Sequence, residues 1–273
     1  MKVFSSVIMV VSIVLGIINV YGLTQSMNQD DISSEHLRFG DRDKLISSEQ
    51  LSSGINKLRG ESDADFAKRI TKLIADGISH IHWEDYQPEK FMQQIPIWEN
   101  WILWAMGEFS GIPEFEKYHF TQIDKSIERG IGLCGDVSML LSEILRVNGI
   151  ANQIITTQGH VVVEAIDDGL VLDPDFGVYI EAPFIAINEN PELTKTAYSS
   201  AGYPNDGLYL SEWYLGDFTR WDGAMHFVTQ KYYFERFSYV AIWMMPLFLL
   251  FISLWLRTIH ANYSTAQRNF PAD

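Results

Sequence analysis

Cys134 is the only cysteine among 273 residues, and two chemically complementary side chains follow it in order. The stretches read Gly130-Ile131-Gly132-Leu133-Cys134-Gly135-Asp136-Val137-Ser138, then Gly159-His160-Val161-Val162-Val163-Glu164, then Val171-Leu172-Asp173-Pro174-Asp175-Phe176-Gly177. A thiol alone attacks an amide carbonyl poorly, whereas a thiol beside an imidazole is a competent nucleophile. A helix N-terminus and a neighbouring imidazolium both favour the thiolate, and Cys134 has the first by position. Backbone amides around Gly132 to Gly135 would face a developing oxyanion, and glycine lets a carbonyl approach closely. A lone histidine opening an apolar strand ordinarily bonds a backbone carbonyl. The thiol upstream and the acid downstream reverse that preference for His160. A carboxylate would then fix the ring tautomer and stabilise the imidazolium.

The elements that must position these groups are legible. Val137, Leu140, Leu141, Ile144 and Leu145 follow helical spacing directly after Cys134, and Asn148-Gly149 supplies a stop. Strands are predicted over Ala151 to Thr157, Gly159 to Ile166 and Leu170 to Leu172, with a hairpin turn at Asp167-Asp168-Gly169. A turn at Asp167-Asp168 pairs His160 with Asp175 and Val162 with Asp173. A turn at Asp168-Gly169 pairs Glu164 with Asp173 instead. In both registers Asp173 and Asp175 share the face of His160, so either can orient the ring and Glu164 stays in contention. One long helix on an antiparallel sheet is an α+β architecture. A helix is also predicted over Ser62 to Ile81, where Ser62 and Asp65 resemble a capping box, and another over Pro96 to Phe109. Residues 178–236 read as further cover for the core, with a helix around Pro191 to Ser199.

Taken together, Gly-x-Cys-Gly-Asp-x-Ser, a helix ending in Leu-Arg-x-Asn-Gly-Ile, Gly-His-x-x-x-Glu and Leu-Asp-Pro resemble the core of the transglutaminase-like superfamily. The resemblance spans about residues 60–180 and is strongest over 125–178. It implies a papain-like fold, with the cysteine heading a helix and the histidine and aspartate on adjacent strands. It also implies Cys134 as nucleophile, His160 as general base and Asp173 as orienting acid, on peptide or protein substrates and with no metal or organic cofactor. Val162 stands where the family often has an aromatic residue, which leaves the acyl-donor pocket undefined. For a second oxyanion donor, Trp98, Trp101 and Trp104 are candidates by residue type alone.

The ends of the chain differ from its middle. Val3 to Leu23 is 21 residues without a charge, and Phe237 to Leu256 is 20. Each matches a ~30 Å hydrocarbon core. The first, residues 1–23, reads as an anchor or a signal, and its length favours the retained anchor over a signal peptide cleaved near Val20 and Gly22. Residues 237–257 read as a second membrane helix, able to absorb Pro246 as a kink, with 258–273 a short tail. Residues 24–60 read as a polar, Ser-rich tether carrying a short helix between Asp43 and Leu58, and 61–236 as the transglutaminase-like domain. Lys2 favours a cytoplasmic amino end, which puts the domain outside; Lys231 and Arg236 blunt that asymmetry.

Lys2, Arg257, Arg268 and Asp273 are the only Lys, Arg, Asp or Glu residues outside 24–236, so the middle carries nearly all of the 35 acidic residues against 20 basic ones. An acidic domain of this kind argues against a nucleic-acid partner. The resemblance implies a bacterial inner-membrane setting, with the chain held by two spans in the lipid bilayer and with envelope assembly partners. Asp175-Phe176-Gly177 imitates a kinase triplet without the accompanying phosphate loop. His80 and His82 near Glu84 lack a further ligand to complete a zinc site. The competing functional class is a catalytically idle binding or scaffold module within a membrane or surface-polysaccharide assembly.

Overall fold

The computed structural model describes residues 2–29, 32–81 and 91–269. In chain order its principal elements are α1 (Lys2–Gly22), α2 (Ser48–Gly54), α3 (Asp63–Gly77), β1 (Ser79–His80), α4 (Trp101–Phe109), α5 (Pro113–Glu116), α6 (Ile123–Arg129), β2 (Ile131–Gly132), α7 (Cys134–Val147), β3 (Asn152–Thr156), β4 (Val161–Ala165), β5 (Leu170–Asp173) and β6 (Val178–Ile180). They continue with α8 (Phe184–Glu189), α9 (Pro191–Ser200), α10 (Pro204–Trp213), β7 (Thr219–Trp221), α11 (Gly223–Phe227) and α12 (Thr229–Asn269). The fold is mixed α+β and divides into two compact units. One comprises Met27–Gln93 and His119–Tyr233; the other comprises Met1–Ser26, Gln94–Tyr118 and Phe234–Asp273.

The first unit is built on a five-stranded antiparallel sheet in the order β6-β5-β4-β3-β7. Alternation along the strands sends Ile154, Val163 and Leu172 to one face, where they meet Val137, Leu141 and Ile144 of α7 and Phe66, Ile70 and Ile74 of α3. Ile155, Val162 and Val171 point the other way, against Phe184, Ile187, Tyr198, Leu210 and Tyr214 of the segment after β6. Both faces are therefore covered, which explains why β4 and β5 are near-continuous apolar runs with no polar-out alternation.

The β4–β5 register pairs Ala165 with Leu170 and Val163 with Leu172. This is the register of a turn centred on Asp167-Asp168, and Gly169 takes the positive φ of 58° that closes it. Helix α3 is capped by Ser62 as expected, but stops at Gly77 four residues short of the predicted end. A Cβ at Gly77 would lie 2.9 Å from Leu51, and Ser79 and His80 leave the helix to pair in parallel with Ile131 and Gly132.

Residues 24–60 do not hang as a tether. Met27, Leu37 and Leu51 are buried, Leu37 bridges to Ile81, and α2 starts on a Ser47–Gln50 capping box. Their apolar residues are too sparse among serines to show a periodicity, yet Met27, Leu37 and Leu51 all reach the core, while Leu45 and Leu58 stay exposed.

The second unit holds the two long apolar helices. Helix α1 and the α12 segment Thr229–Asn262 are each long and apolar enough to cross a membrane. Helix α12 passes through Pro246 unbroken and overruns the predicted span at both ends. Helix α4 begins at Trp101, five residues after the predicted Pro96, because the Asn100 side chain caps the amides of Ile102 and Leu103.

Candidate active site

Cys134 is the first residue of α7 and half-buried. The chain reaches it through β2, where a Cβ on Gly132 would lie 2.9 Å from the Asp136 side chain, so only glycine fits. Asp136 accepts the Leu133 N–H at 2.9 Å and a bond from His119 Nδ1 at 2.8 Å, with Arg129 at 3.8 Å. Burial works against its charge, but His119, Arg129 and the Leu133 amide prevail and hold its pKa down to about 2. An acid in the first turn also favours the helix dipole. The next first-turn amides of α7 have no carbonyl of their own helix to bond, so they are the donors this loop can offer an oxyanion. Gly135 has open space around it and is not required by packing. Ser138 Oγ donates to Val161 O at 2.9 Å, tying the start of α7 to the start of β4.

His160 sits one residue before β4, not on it. Thr157 turns back and bonds the His160 carbonyl through its N–H at 3.0 Å and its hydroxyl at 3.2 Å, which ends the β3–β4 ladder at Thr156 and Val161. Trp213 packs so closely on Gly159 that a Cβ there would lie 3.0 Å from its ring.

The imidazole is buried, and its Nε2 lies 2.7 Å from Asp173 Oδ2. Tyr214 stacks on the ring at 6.3 Å and Phe176 meets it edge-on at 5.9 Å. Burial alone would lower the ring's pKa. The charge and hydrogen bond of Asp173, followed by the nearby Cys134 thiol, overcome this and raise it well above the usual value. With Nε2 committed to Asp173, Nδ1 is the nitrogen left for the thiol.

Of the three acids left open by the sequence, Asp173 alone bonds the ring. Its Oδ1 accepts the Asp175 N–H at 2.9 Å, and its Oδ2 also accepts the Tyr198 hydroxyl, which in turn contacts the Tyr214 hydroxyl at 3.0 Å. Burial, and the charge of Asp173 after it, keep the Tyr198 phenol protonated and therefore a donor. Asp175 pairs with Arg38 at 2.6 Å, and His80 stands beside it at 3.6 Å while bonding Asp43 at 2.9 Å. Glu164 is drawn away to Arg220 and to the Phe184 N–H.

Cys134 and His160 line one cleft of about 540 Å³, with Leu133, Arg38, Tyr209 and Trp213 among its walls. A second cavity, of about 430 Å³, lies beside Phe176 and Tyr203 and is lined by neither Cys134 nor His160. His160, Asp173 and Asp175 offer ligand atoms within 4.8 Å of one another. The Arg38 guanidinium on Asp175 disfavours a second cation there, and the network reads as hydrogen bonding. His80 is buried in that network, while His82 and Glu84 lie outside the described residues.

Trp98, Trp101 and Trp104 belong to the other unit. Arg38, Tyr198, Trp213 and Tyr214 escape the sequence reading because each reaches the site from an element remote in sequence: Arg38 from the N-terminal segment, Tyr198 from α9, and Trp213 and Tyr214 from the end of α10. In comparisons with protein-family models, with curated proteins and with solved structures, nothing matches this chain.

Proposed function

We propose that this chain is a membrane-anchored, transglutaminase-like cysteine enzyme with a papain-like core, acting on peptide or side-chain amides of extracytoplasmic substrates in a bacterial envelope. The observation that carries the reading is a single cleft holding the Cys134 thiol and a buried His160 that is bonded to Asp173 and raised in pKa. An imidazolium that persists at neutral pH stabilises a thiolate beside it and is a proton donor in waiting.

In the proposed reaction the Cys134 sulfur forms a bond to the amide carbon, and the carbonyl electrons move onto oxygen, which the first-turn amides of α7 receive. When the tetrahedral species collapses, the C–N bond breaks, His160 delivers its proton to the departing amine, and a thioester remains. Water or an amine then attacks the thioester, giving up a proton to His160 and expelling the thiolate. Water yields hydrolysis or deamidation, and an amine yields a new amide. Atoms and charge balance through the protein's own groups, and no cofactor enters. Asp173, bonded at Nε2, holds Nδ1 of the ring toward the sulfur.

The test is labelling of Cys134 by an amide-mimicking electrophile, in the native chain and in His160→Ala. Rapid labelling that collapses in the variant supports the enzyme. Equal, slow labelling of both supports the idle scaffold module. Turnover that survives Cys134→Ser in a folded protein ends the enzyme reading.

A further inference from the structure

The buried residues of α1 are Ser5, Ser12 and Asn19. They recur every seven residues, so they fall on one stripe of the helix. Its valines and isoleucines point outward: Val3, Val7, Val10, Val14, Ile17 and Val20 are all exposed. Helix α12 shows a weaker form of the same pattern: it buries Ser238 and Ser253, along with Ala241 and Ile242, and exposes Phe237, Leu247, Phe248 and Phe251. A helix folded in water would bury the apolar side chains. In hydrocarbon the demand reverses, because apolar side chains are at ease facing lipid while every polar group needs a partner.

The stripe meets α12 at all three positions, although the Ser5 hydroxyl itself turns back to Lys2 O of α1 at 3.0 Å. Ser253 Oγ donates to Ser5 O at 2.7 Å, Ser12 Oγ donates to Pro246 O at 2.7 Å, and Asn19 Nδ2 donates to Ile242 O at 2.6 Å. One residue number rises as the other falls, so the helices run antiparallel. The third bond has a specific cause. Proline lacks an N–H, so Pro246 leaves the carbonyl four residues earlier without its helical donor. That carbonyl belongs to Ile242, the one the Asn19 amide reaches. Gly22, beside the point where a signal sequence would be cut, packs directly on the Trp98 backbone and leaves no room for a Cβ.

We propose that α1 is retained in the mature protein as the permanent partner of α12 in a membrane hairpin, its Asn19 side chain replacing the backbone hydrogen bond that Pro246 removes. This goes beyond the acyl-transfer reading and stands whether or not Cys134 turns over an amide. Cleavage of α1 would strand the Ile242 carbonyl in hydrocarbon.

The experiment uses the full chain purified from membranes through a C-terminal tag. Intact mass is expected to include residues 2–22; their loss overturns the proposal. Asn19→Leu is expected to lower the thermal unfolding midpoint by several degrees with Pro246 present. In the Pro246→Ala background that drop should shrink to less than half, because the substitution restores the N–H that the Ile242 carbonyl needs. An equal drop in both backgrounds overturns the Asn19 role. In a Cys134→Ala chain, Ser5→Cys with Ser253→Cys is expected to form an intrachain disulfide. A disulfide-linked dimer would place the seam between two copies and overturn the hairpin.

Discussion

Asp173 and Asp175 are separated by one residue, are both buried, and share the face of His160, yet they sit in different networks. Around Asp173 the partners are a ring nitrogen, a phenol and a backbone N–H, which suits a carboxylate that orients a reacting group. Around Asp175 they are a guanidinium from the N-terminal segment and His80 of β1, which suits an ion pair locking that segment onto the sheet. Under the proposed function, neighbouring acids of one type thus divide into a positioning site and a structural one, according to which distant elements reach them. Losing a buried carboxylate paired with a guanidinium strands that cation and costs stability, whereas a carboxylate bonded to a histidine bears chiefly on the ring's chemistry.

The sharpest way to break this division is to neutralise each acid in turn. Asp173→Asn should slow acylation of Cys134 by an activated ester about 10⁴-fold, as losing the orienting acid of a triad does. Asp175→Asn should leave most of that rate intact. Equal losses would dissolve the distinction.

Stability should rank the two acids in the opposite order. Removing one member of a buried ion pair costs ~3–5 kcal/mol. The Arg38 side chain keeps 33% of its exposure, so solvent takes up part of its charge. Asp175→Asn should therefore destabilise the chain by about 2 kcal/mol, read from thermal or denaturant unfolding.

The pH dependence sharpens the comparison further. His160 has a folded pKa raised above its unfolded value, so its contribution to stability is complete below about pH 6.5 and is lost as pH rises through the raised folded pKa. His160→Gln should flatten that alkaline slope. Asp136 behaves oppositely. Its folded pKa of about 2 lies below the ordinary aspartate value of 3.8, so its stabilisation is present above about pH 4 and is lost as pH falls toward 2. Asp136→Asn should remove about 2 kcal/mol at neutral pH. A pH–stability curve identical to that of the native chain would refute it.

The smallest expected effect is at Tyr198. Tyr198→Phe removes the hydroxyl that bonds both Asp173 and the Tyr214 hydroxyl, worth about 1.5 kcal/mol. It also leaves Asp173 Oδ2 to His160 alone, which strengthens that bond and should move the alkaline limb of acylation to higher pH; a purely structural tyrosine would leave that limb in place.

The parts of the molecule legible in advance obey short-range rules. The stripe from Val137 to Leu145, the Ser62 cap and the Asp167-Gly169 turn all lie within a few residues of the features that announce them. The legible part of the site is likewise the run from Cys134 to Asp173, whose helix and hairpin are contiguous. What was missed comes from outside it. Residues 24–60 look like a tether because serine dilutes their apolar residues, and nothing local says that Leu37 bridges Ile81 or that Arg38 will reach an aspartate 137 residues away. The end of α3 was overrun because Ile78 and Ile81 fit the helical stripe, while the pairing of β1 with β2 that pulls them out is non-local.

By itself the sequence determined the order of thiol, imidazole and carboxylate, the helix and hairpin that carry them, and two apolar segments of membrane length. It left three acids in contention and offered α1 as either anchor or signal. Only the tertiary structure decided that Asp173 bonds the ring, that Arg38 and Arg220 draw Asp175 and Glu164 elsewhere, and that Ser5, Ser12 and Asn19 face α12. Backbone periodicity is set by neighbours a few bonds away. The partner of a buried polar group is set by which distant segments close around it, and burial makes that partner obligatory.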